Sequence, residues 1–374
     1  MHFHLILTDN CNLSCSYCRG RVFENPVNES SGSNNLQVDG RLPVDLNFDL
    51  DDLFTFLKKD PDPVLTFYGG EPLLRSDLIA QIVREAAGAR FILQTNGMLL
   101  HLLPSEIARR LSTLLVSIDG PQELTDGYRG TGVYHRVMAN VRALVEDGYS
   151  GEVIARMTVG ERTDIQNAVT YLAANDDYSF SSVHWQLDAD FGGVERGRTF
   201  AAWADRWYNP GIRALVACWM DRMRNGAVLR WYPFLDTMQD LINGNQSKLR
   251  CGSGHANYAI MTDGSIAPCP VMVGMKHYYC GHITTSTPTG LKTVPITGPC
   301  TNCAIFDFCG GRCLYANILH PWSEEQRKIV CGTVENLHNS LQEVLPEVQD
   351  LLRSGVILPV DFNHEKFNGC EIIP

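Results

Sequence analysis

Six short apolar runs punctuate the first 190 residues: Phe3–Leu7, Val64–Tyr68, Phe91–Thr95, Leu114–Ile118, Val153–Val159 and Val183–Leu187. The stretches between them carry the period of amphipathic helices. Ser76 is predicted to N-cap a helix with Leu78, Ile79, Ile82, Val83 and Ala86 on one face, and Pro104-Ser105 opens another through Leu111. Tyr134–Glu146 and Asp164–Ala174 supply two more. Repeated βα units with buried-looking strands build a parallel sheet with helical crossovers. Six such units predict an α/β fold of the partial (β/α)6 TIM-type barrel kind rather than a closed eight-stranded one. Such barrels carry their chemistry at the C-terminal ends of the strands. Residues 20–50 contain the polar run NESSGSNN and read as a mobile loop inserted after the first strand.

The thirteen cysteines are unevenly placed. Cys11, Cys15 and Cys18 directly follow the first strand, then none appears until Cys218, and nine lie beyond residue 250. A disulfide framework gives no reason for this split, whereas two separate metal-binding regions do. The first group has the spacing CxxxCxxC. Three thiolates this close can bind three of the four irons of a cubane and leave the fourth open, while zinc would more naturally take four protein ligands with CxxC pairs. Three cysteines that bind zinc, or are simply buried, remain the plain alternative at this point.

Other motifs also sit at predicted strand ends. Gly69-Gly70-Glu71-Pro72 follows the second strand, Gln94-Thr95-Asn96-Gly97 ends the third, and Ser117-Ile118-Asp119-Gly120 ends the fourth with Arg129 twelve residues after Ser117. Glycine lets a backbone approach closely, and an Arg fork suits a carboxylate. A lone Gly-Gly-Glu is usually a turn. Three such motifs in register with the cysteines are not.

From Cys251 to Cys331 the text changes to Gly, Pro, Cys and Thr with little periodicity, as expected of a small domain held by metal rather than by a large apolar core. Cys251 is followed by twelve residues, Gly264, four residues and Cys269; then come Cys300, Cys303, Cys309, Cys313 and, after a gap, Cys331. A CxxC pair standing alone would read as a zinc ribbon. Residues 200–250 read as helical and aromatic-rich, with Trp203, Trp207, Tyr208, Trp219, Trp231, Tyr232 and Phe234 expected mainly as core. Residues 323–353 read as a helix.

Together these motifs resemble the radical S-adenosylmethionine (radical SAM) enzymes with a SPASM extension, among them the anaerobic sulfatase-maturating and ribosomal-peptide-modifying enzymes and an archaeal-type peptide-modifying group. The resemblance implies that Cys11, Cys15 and Cys18 hold a 4Fe–4S cluster whose open iron takes the methionyl end of SAM. It further implies cofactor contacts from Tyr17, Gly69, Gly70, Glu71, Asn96, Ser117, Asp119 and Arg129. Two auxiliary 4Fe–4S clusters are implied, the first on Cys251, Cys269 and Cys313 and the second on Cys300, Cys303, Cys309 and Cys331, making three clusters in all. Cys280 either completes the first auxiliary cluster or is a small buried hydrophobe beside it, which leaves an iron open to a substrate thiolate. The implied domains are residues 1–198 as the radical SAM partial barrel, 199–250 as a helical bridge, 251–335 as the SPASM domain, and 336–374 as a C-terminal helix and tail.

The implied activity is reductive cleavage of SAM to a 5′-deoxyadenosyl radical and oxidative modification, by crosslinking or dehydrogenation, of a residue in a ribosomally made peptide or protein. Formylglycine formation in sulfatases is the near alternative, but enzymes of that activity carry Asp after the cysteine equivalent to Cys269, where this chain has Pro270. A multi-cluster electron carrier is the alternative of another class, opposed by the presence of Glu71, Ser117 and Arg129. No catalytic base is legible; His184, Gln186, Asp188 and Asp190 cluster near the end of the sixth strand, and Asp188 and Asp190 are the weak candidates. Cys218 reads as a helix-core thiol, and Cys370 is unplaced. The net charge of 31 − 42 = −11 disfavours nucleic acid and anionic membrane as partners. No apolar run approaches a bilayer span and the start lacks a signal peptide, so a cytoplasmic location is expected, with a low-potential donor such as ferredoxin or flavodoxin. The early first strand is read as leaving no room for an N-terminal peptide-recognition domain.

Overall fold

The computed structural model describes residues 1–18, 39–188, 197–320 and 322–368. The NESSGSNN run, Asp190 and Cys370 therefore lie outside the described residues. The strands are β1 (His2–Thr8), β2 (Val64–Gly69), β3 (Arg90–Thr95), β4 (Leu111–Ser117), β5 (Glu152–Val159), β6 (Ser182–Leu187), β7 (Arg230–Trp231), β8 (Asn257–Ile260), β9 (Ser265–Ala267) and β10 (Gly281–His282). The six apolar runs thus become β1 to β6, alternating with helices as a TIM-type partial barrel requires. Two compact units divide the chain. One holds residues 1–117, 125–153 and 251–295; the other holds 118–124, 154–250 and 296–374.

In the first unit the neighbouring strands run β10-β9-β8-β1-β2-β3-β4. β1 pairs in parallel with β2 (His2↔Val64) and, on its other edge, with β8 (His2↔Asn257). β2 pairs with β3 and β3 with β4, again in parallel. β9 and β10 run antiparallel, which makes the sheet mixed. Every residue of β1 is buried, His2, His4 and Thr8 included, as befits a central strand covered on both faces. Residues 251–295, expected to lean on metal, also own an apolar core: Met261, Ala267 and Val273 pack with Ile6 and Leu42.

Two helix boundaries differ from expectation. The helix Ser76–Glu85 begins at Ser76, but Ser76 is not its side-chain cap. A turn of 3₁₀ helix, Pro72–Arg75, precedes it, and the Glu71 carboxylate caps that turn by accepting from the Leu73 amide. The helical run therefore starts four residues earlier, where a proline fits the first position. The helix opened by Ser105 stops at Ala108, and Leu111 already pairs with Phe91 in β4. By contrast, Asp164 caps Ile165–Ala173 by accepting from the Asn167 amide.

In the second unit β5, β6 and β7 pair in parallel, and the long helices are Asn209–Arg224, Tyr232–Asn243 and Glu324–Arg353. Ser323 and Gln326 form a capping box at the start of the last. The aromatic stretch is core: Trp203, Tyr208, Trp219, Trp231, Tyr232 and Phe234 are buried, and only Trp207 among them is exposed, at 61%. Cys218 is half-buried on its helix. Arg250 anchors this unit from within, donating to Asp236 at 2.5 Å, to Asp240 at 2.8 Å and to the Phe308 carbonyl at 2.6 Å. Among the described residues no helix is long and apolar enough to cross a membrane.

Candidate active site and cluster-binding cysteines

The ends of β1, β2 and β3 meet through backbone and one carboxylate. The Gly70 amide donates to the Thr8 carbonyl at 2.9 Å and the Glu71 amide to the Asn10 carbonyl at 2.8 Å, so the start of the cysteine loop is tied to the Gly-Gly-Glu turn. A Cβ at Gly69 would collide with the Thr8 carbonyl oxygen, and one at Gly70 with that of Asn10. Gly69 also has φ +140°, a conformation that L side chains rarely adopt. Here the glycines admit the chain's own backbone.

Glu71 is wholly buried. One carboxylate oxygen accepts from the Thr95 hydroxyl at 2.7 Å and the Leu73 amide at 3.0 Å; the other accepts from the Asn96 amide at 2.7 Å. Burial raises its pKa against the pull of these three donors. Asn96 in turn donates its side-chain amide to Asn12 at 2.8 Å and to the Cys11 sulfur at 3.7 Å. Cys11 has an exposed surface, yet desolvation pushes its thiol up; the Leu13 amide pulls it down, and Glu71 and Cys18 raise it further. Cys18 closes a turn on Cys15 through its amide at 2.9 Å. Cys11 and Cys18 are exposed and Cys15 is half-buried.

On the same loop, the Ser16 amide donates to the Tyr128 carbonyl at 2.8 Å, and the Tyr17 ring packs on Tyr128 with centroids 5.3 Å apart. Arg129, buried at the end of the helix Gln122–Arg129, holds its guanidinium 5.4 Å from the centroid of Tyr17. Ser117 is the partly exposed last residue of β4. The first unit thus brings together Cys11, Cys15, Cys18, Tyr17, Gly69, Gly70, Glu71, Asn96, Ser117 and Arg129 at its strand ends and the loops that follow them. Asp119 belongs to the second unit, where it is buried and accepts from the Thr158 amide at 2.9 Å. Thr95, unremarked in the sequence although it lies inside Gln94-Thr95-Asn96-Gly97, proves to be a holder of Glu71.

His184 and Gln186, on β6, sit beside Arg156 on β5. The Arg156 guanidinium donates to Gln186 at 2.8 Å, and His184 is held well below its usual pKa by burial and by Arg156. Asp188 follows the strand with its amide on Val159 at 2.8 Å and is half-buried. A neutral buried imidazole and an engaged glutamine are strand interior rather than an open base.

The later cysteines divide between the units. Cys251, Cys269 and Cys280 are buried in the first. The Cys251 sulfur lies 3.0 Å from the Ser253 hydroxyl, and burial pushes the Cys280 thiol up to about 12. In the second unit Cys300, Cys303, Cys309 and Cys331 line a single cavity. Burial pushes Cys309 up to about 11, with Cys331 and Cys300 adding to it; burial, Cys300 and Cys303 also raise Cys331. Buried Cys313 borders the same cavity. Among the described residues no three His, Cys, Asp or Glu side chains converge as they would on one metal ion. A cubane asks for something wider, since each thiolate binds a different iron. The segment that carries this set is tightly built: a Cβ at Gly310 would come within 2.6 Å of the Leu249 amide nitrogen, and one at Gly311 within 2.7 Å of Ile296. Four thiols around one cavity, bordered by the buried guanidinium of Arg312, fit an anionic cluster.

Residues 5–171 match the Radical SAM superfamily. Fe-coproporphyrin III synthase of Methanosarcina barkeri is 30% identical over 42% of this chain and 36% of its own length, so the chain spans about a third of that relative. The cysteine-type anaerobic sulfatase-maturating enzyme of Clostridium novyi is 22% identical over 82% of this chain and 85% of its own length. Among solved structures, native anSMEcpe with bound AdoMet has a TM-score of 0.68 at 17% identity, covering 95% of this chain and 100% of that one. SuiB of Streptococcus suis bound to precursor peptide SuiA has a TM-score of 0.52 at 15% identity, covering 85% and 72%. These likenesses show the fold.

Proposed function

We propose that this chain, whose residues 5–171 are a radical SAM domain, is an oxidoreductase that modifies a residue of a ribosomally made peptide or protein. The observation that carries the reading is the strand-end assembly around Cys11, where a CxxxCxxC loop is locked to Glu71 and Asn96 beside Tyr17 and Arg129. Cys11, Cys15 and Cys18 would leave one iron of a bound cluster for SAM, and that cluster would supply the electron that cleaves SAM to a 5′-deoxyadenosyl radical. The chain's own residues do the holding. Glu71 and Asn96 fix the loop that bears Cys11. The carbonyls of Gly69 and Gly70 receive the methionyl ammonium, and Ser117 and Arg129 hold its carboxylate, for which a guanidinium offers paired donors. Tyr17 lies by the adenine.

The auxiliary clusters that the later cysteines would hold, one of them on Cys300, Cys303, Cys309 and Cys331 around their common cavity, would accept the electron left on the substrate once a hydrogen atom has been abstracted. A peptide or protein substrate is favoured because the maturase relative aligns over 82% of this chain, whereas the porphyrin synthase aligns over 42%. Ferredoxin or flavodoxin would supply the electrons, in the cytoplasm.

Anaerobic reconstitution followed by SAM and dithionite tests this reading. The expected result is 5′-deoxyadenosine, with about twelve Fe per chain. No 5′-deoxyadenosine from loaded protein, or about four Fe, overturns it. Cys15→Ala should abolish cleavage. Sulfatase maturation is the second reading, favoured by the same relative and opposed by Pro270 after Cys269. A sulfatase peptide with a single Cys would separate the two, since only formylglycine formation leaves an aldehyde that a hydrazide traps.

A further inference from the structure

We propose that Arg312 is a positioning residue for redox chemistry: its guanidinium is the buried counter-cation that raises the reduction potential of a cluster held by Cys300, Cys303, Cys309 and Cys331. The inference rests on the reading that these four cysteines bind a cluster, and it deepens that reading. Arg312 is 8% exposed and lines the same cavity as the four sulfurs. Its Nε and Nη1 have no hydrogen-bond partner among the described residues, and no carboxylate there pairs with it. Its known neighbour is Trp322, whose ring centroid lies 5.7 Å from the guanidinium carbon.

Two buried guanidinium nitrogens without an acceptor are an expensive arrangement unless an anion completes them. The backbone makes the point again. Arg312 has φ +53°, in a region a non-glycine residue enters at a cost of roughly 1–2 kcal/mol. The two residues before it are glycines at φ +67° and +90°, so glycine at 312 would have suited the turn. The side chain is what the position retains. One-electron reduction of a cluster adds a negative charge and makes or breaks no bond. A fixed cation in a low-dielectric pocket stabilises that added charge, and hydrogen bonds to cluster sulfur act in the same direction.

The test is an EPR-monitored titration with dithionite, without SAM, in a Cys11→Ala/Cys15→Ala/Cys18→Ala background that leaves only the auxiliary signals. The signal lost in Cys303→Ala identifies the cluster. Arg312→Met should move its midpoint to more negative potential at unchanged iron content, and Arg312→Lys should recover part of the shift. An unmoved midpoint in the Met variant overturns the inference. If Met and Gln variants lose iron while Lys keeps it, the cation is needed to hold the cluster and the inference stands; equal loss in all three reduces Arg312 to packing and overturns it. A Cys303→Ala protein that loses no iron and no signal overturns instead the assignment of the cysteines.

Discussion

The Glu71 carboxylate accepts the Asn96 backbone amide at 2.7 Å, while the Asn96 side chain reaches the Cys11 sulfur at 3.7 Å. One buried acid therefore orders the first cysteine through an intermediary. Glu71→Ala would leave the amides of Leu73 and Asn96 and the Thr95 hydroxyl without their acceptor in a buried place. Each such orphan costs about 1–3 kcal/mol, not fully additively. The expected result is a loss of roughly 3 kcal/mol or more in chemical denaturation and of iron at Cys11, Cys15 and Cys18. Glu71→Gln keeps one acceptor oxygen and should lose less on both counts. Equal iron retention in the Ala variant would refute the link.

Gly70 tests a second part of the same corner. The Asn10 carbonyl occupies the space of its missing Cβ, and the Glu71 amide bonds that same carbonyl at 2.8 Å. Gly70→Ala must push the cysteine loop away from β2. Expected are a fall in SAM cleavage of at least about tenfold, since a misplacement of 1 Å can cost a hundredfold, and a much smaller change in iron bound by the cysteines beyond residue 250. Anaerobic iron counting and 5′-deoxyadenosine yield read the two separately.

The strands were legible because parallel strands buried on both faces must read as apolar runs, and β1 to β6 all do. Their neighbours were not. β8 pairs with β1 across about 250 residues of chain, and nothing in Asn257–Ile260 names its partner. Ser76 looked like a cap because Ser is a good one, but Glu71, five residues upstream, had already capped the preceding turn. Within the site, the motifs marked which residues cluster, since cysteine and Gly-Gly-Glu spacing is local. They could not mark Thr95 as the holder of Glu71 or Arg250 as the ion-pair partner of Asp236, because those bonds depend on how separate segments pack.

Arg129 and Tyr17 give a binding prediction. A guanidinium 5.4 Å from a ring centroid gains about 0.5–2 kcal/mol and is held in one orientation. Tyr17→Ala removes that guide and the packing on Tyr128, so SAM affinity should weaken by roughly threefold to thirtyfold on that energy scale. Tyr17→Phe keeps the ring and should bind within about twofold of the parent. Arg129→Lys keeps the charge and loses the fork, and is expected to weaken binding more than Tyr17→Phe does. Equilibrium dialysis with SAM against loaded protein distinguishes these; identical affinity in Tyr17→Ala and the parent would refute the contact.

Asp236 supplies the pH dependence. Burial would raise its carboxyl, but the His364 imidazole 3.4 Å away and the Arg250 guanidinium outweigh burial and hold it well below the usual carboxylate range. A depressed folded-state pKa contributes stability that is present above the unfolded value of about 3.9 and is lost as pH falls through the folded one. Denaturation midpoints of the parent should therefore fall as pH drops below about 4. Asp236→Asn should be less stable at neutral pH, and its deficit should shrink across that same acid range. Arg250→Met is the harsher change, because buried Asp236 and Asp240 would keep only the half-exposed Lys366, at 3.7 and 3.3 Å, as a cation and the Phe308 carbonyl would lose its donor. Breaking such a pair from one side costs about 3–5 kcal/mol. Phe308 directly precedes Cys309, so the Met variant should also release iron from the Cys300–Cys331 cavity more readily under chelator. A variant as stable as the parent, with iron equally retained, would show that the anchor and the cysteines are independent.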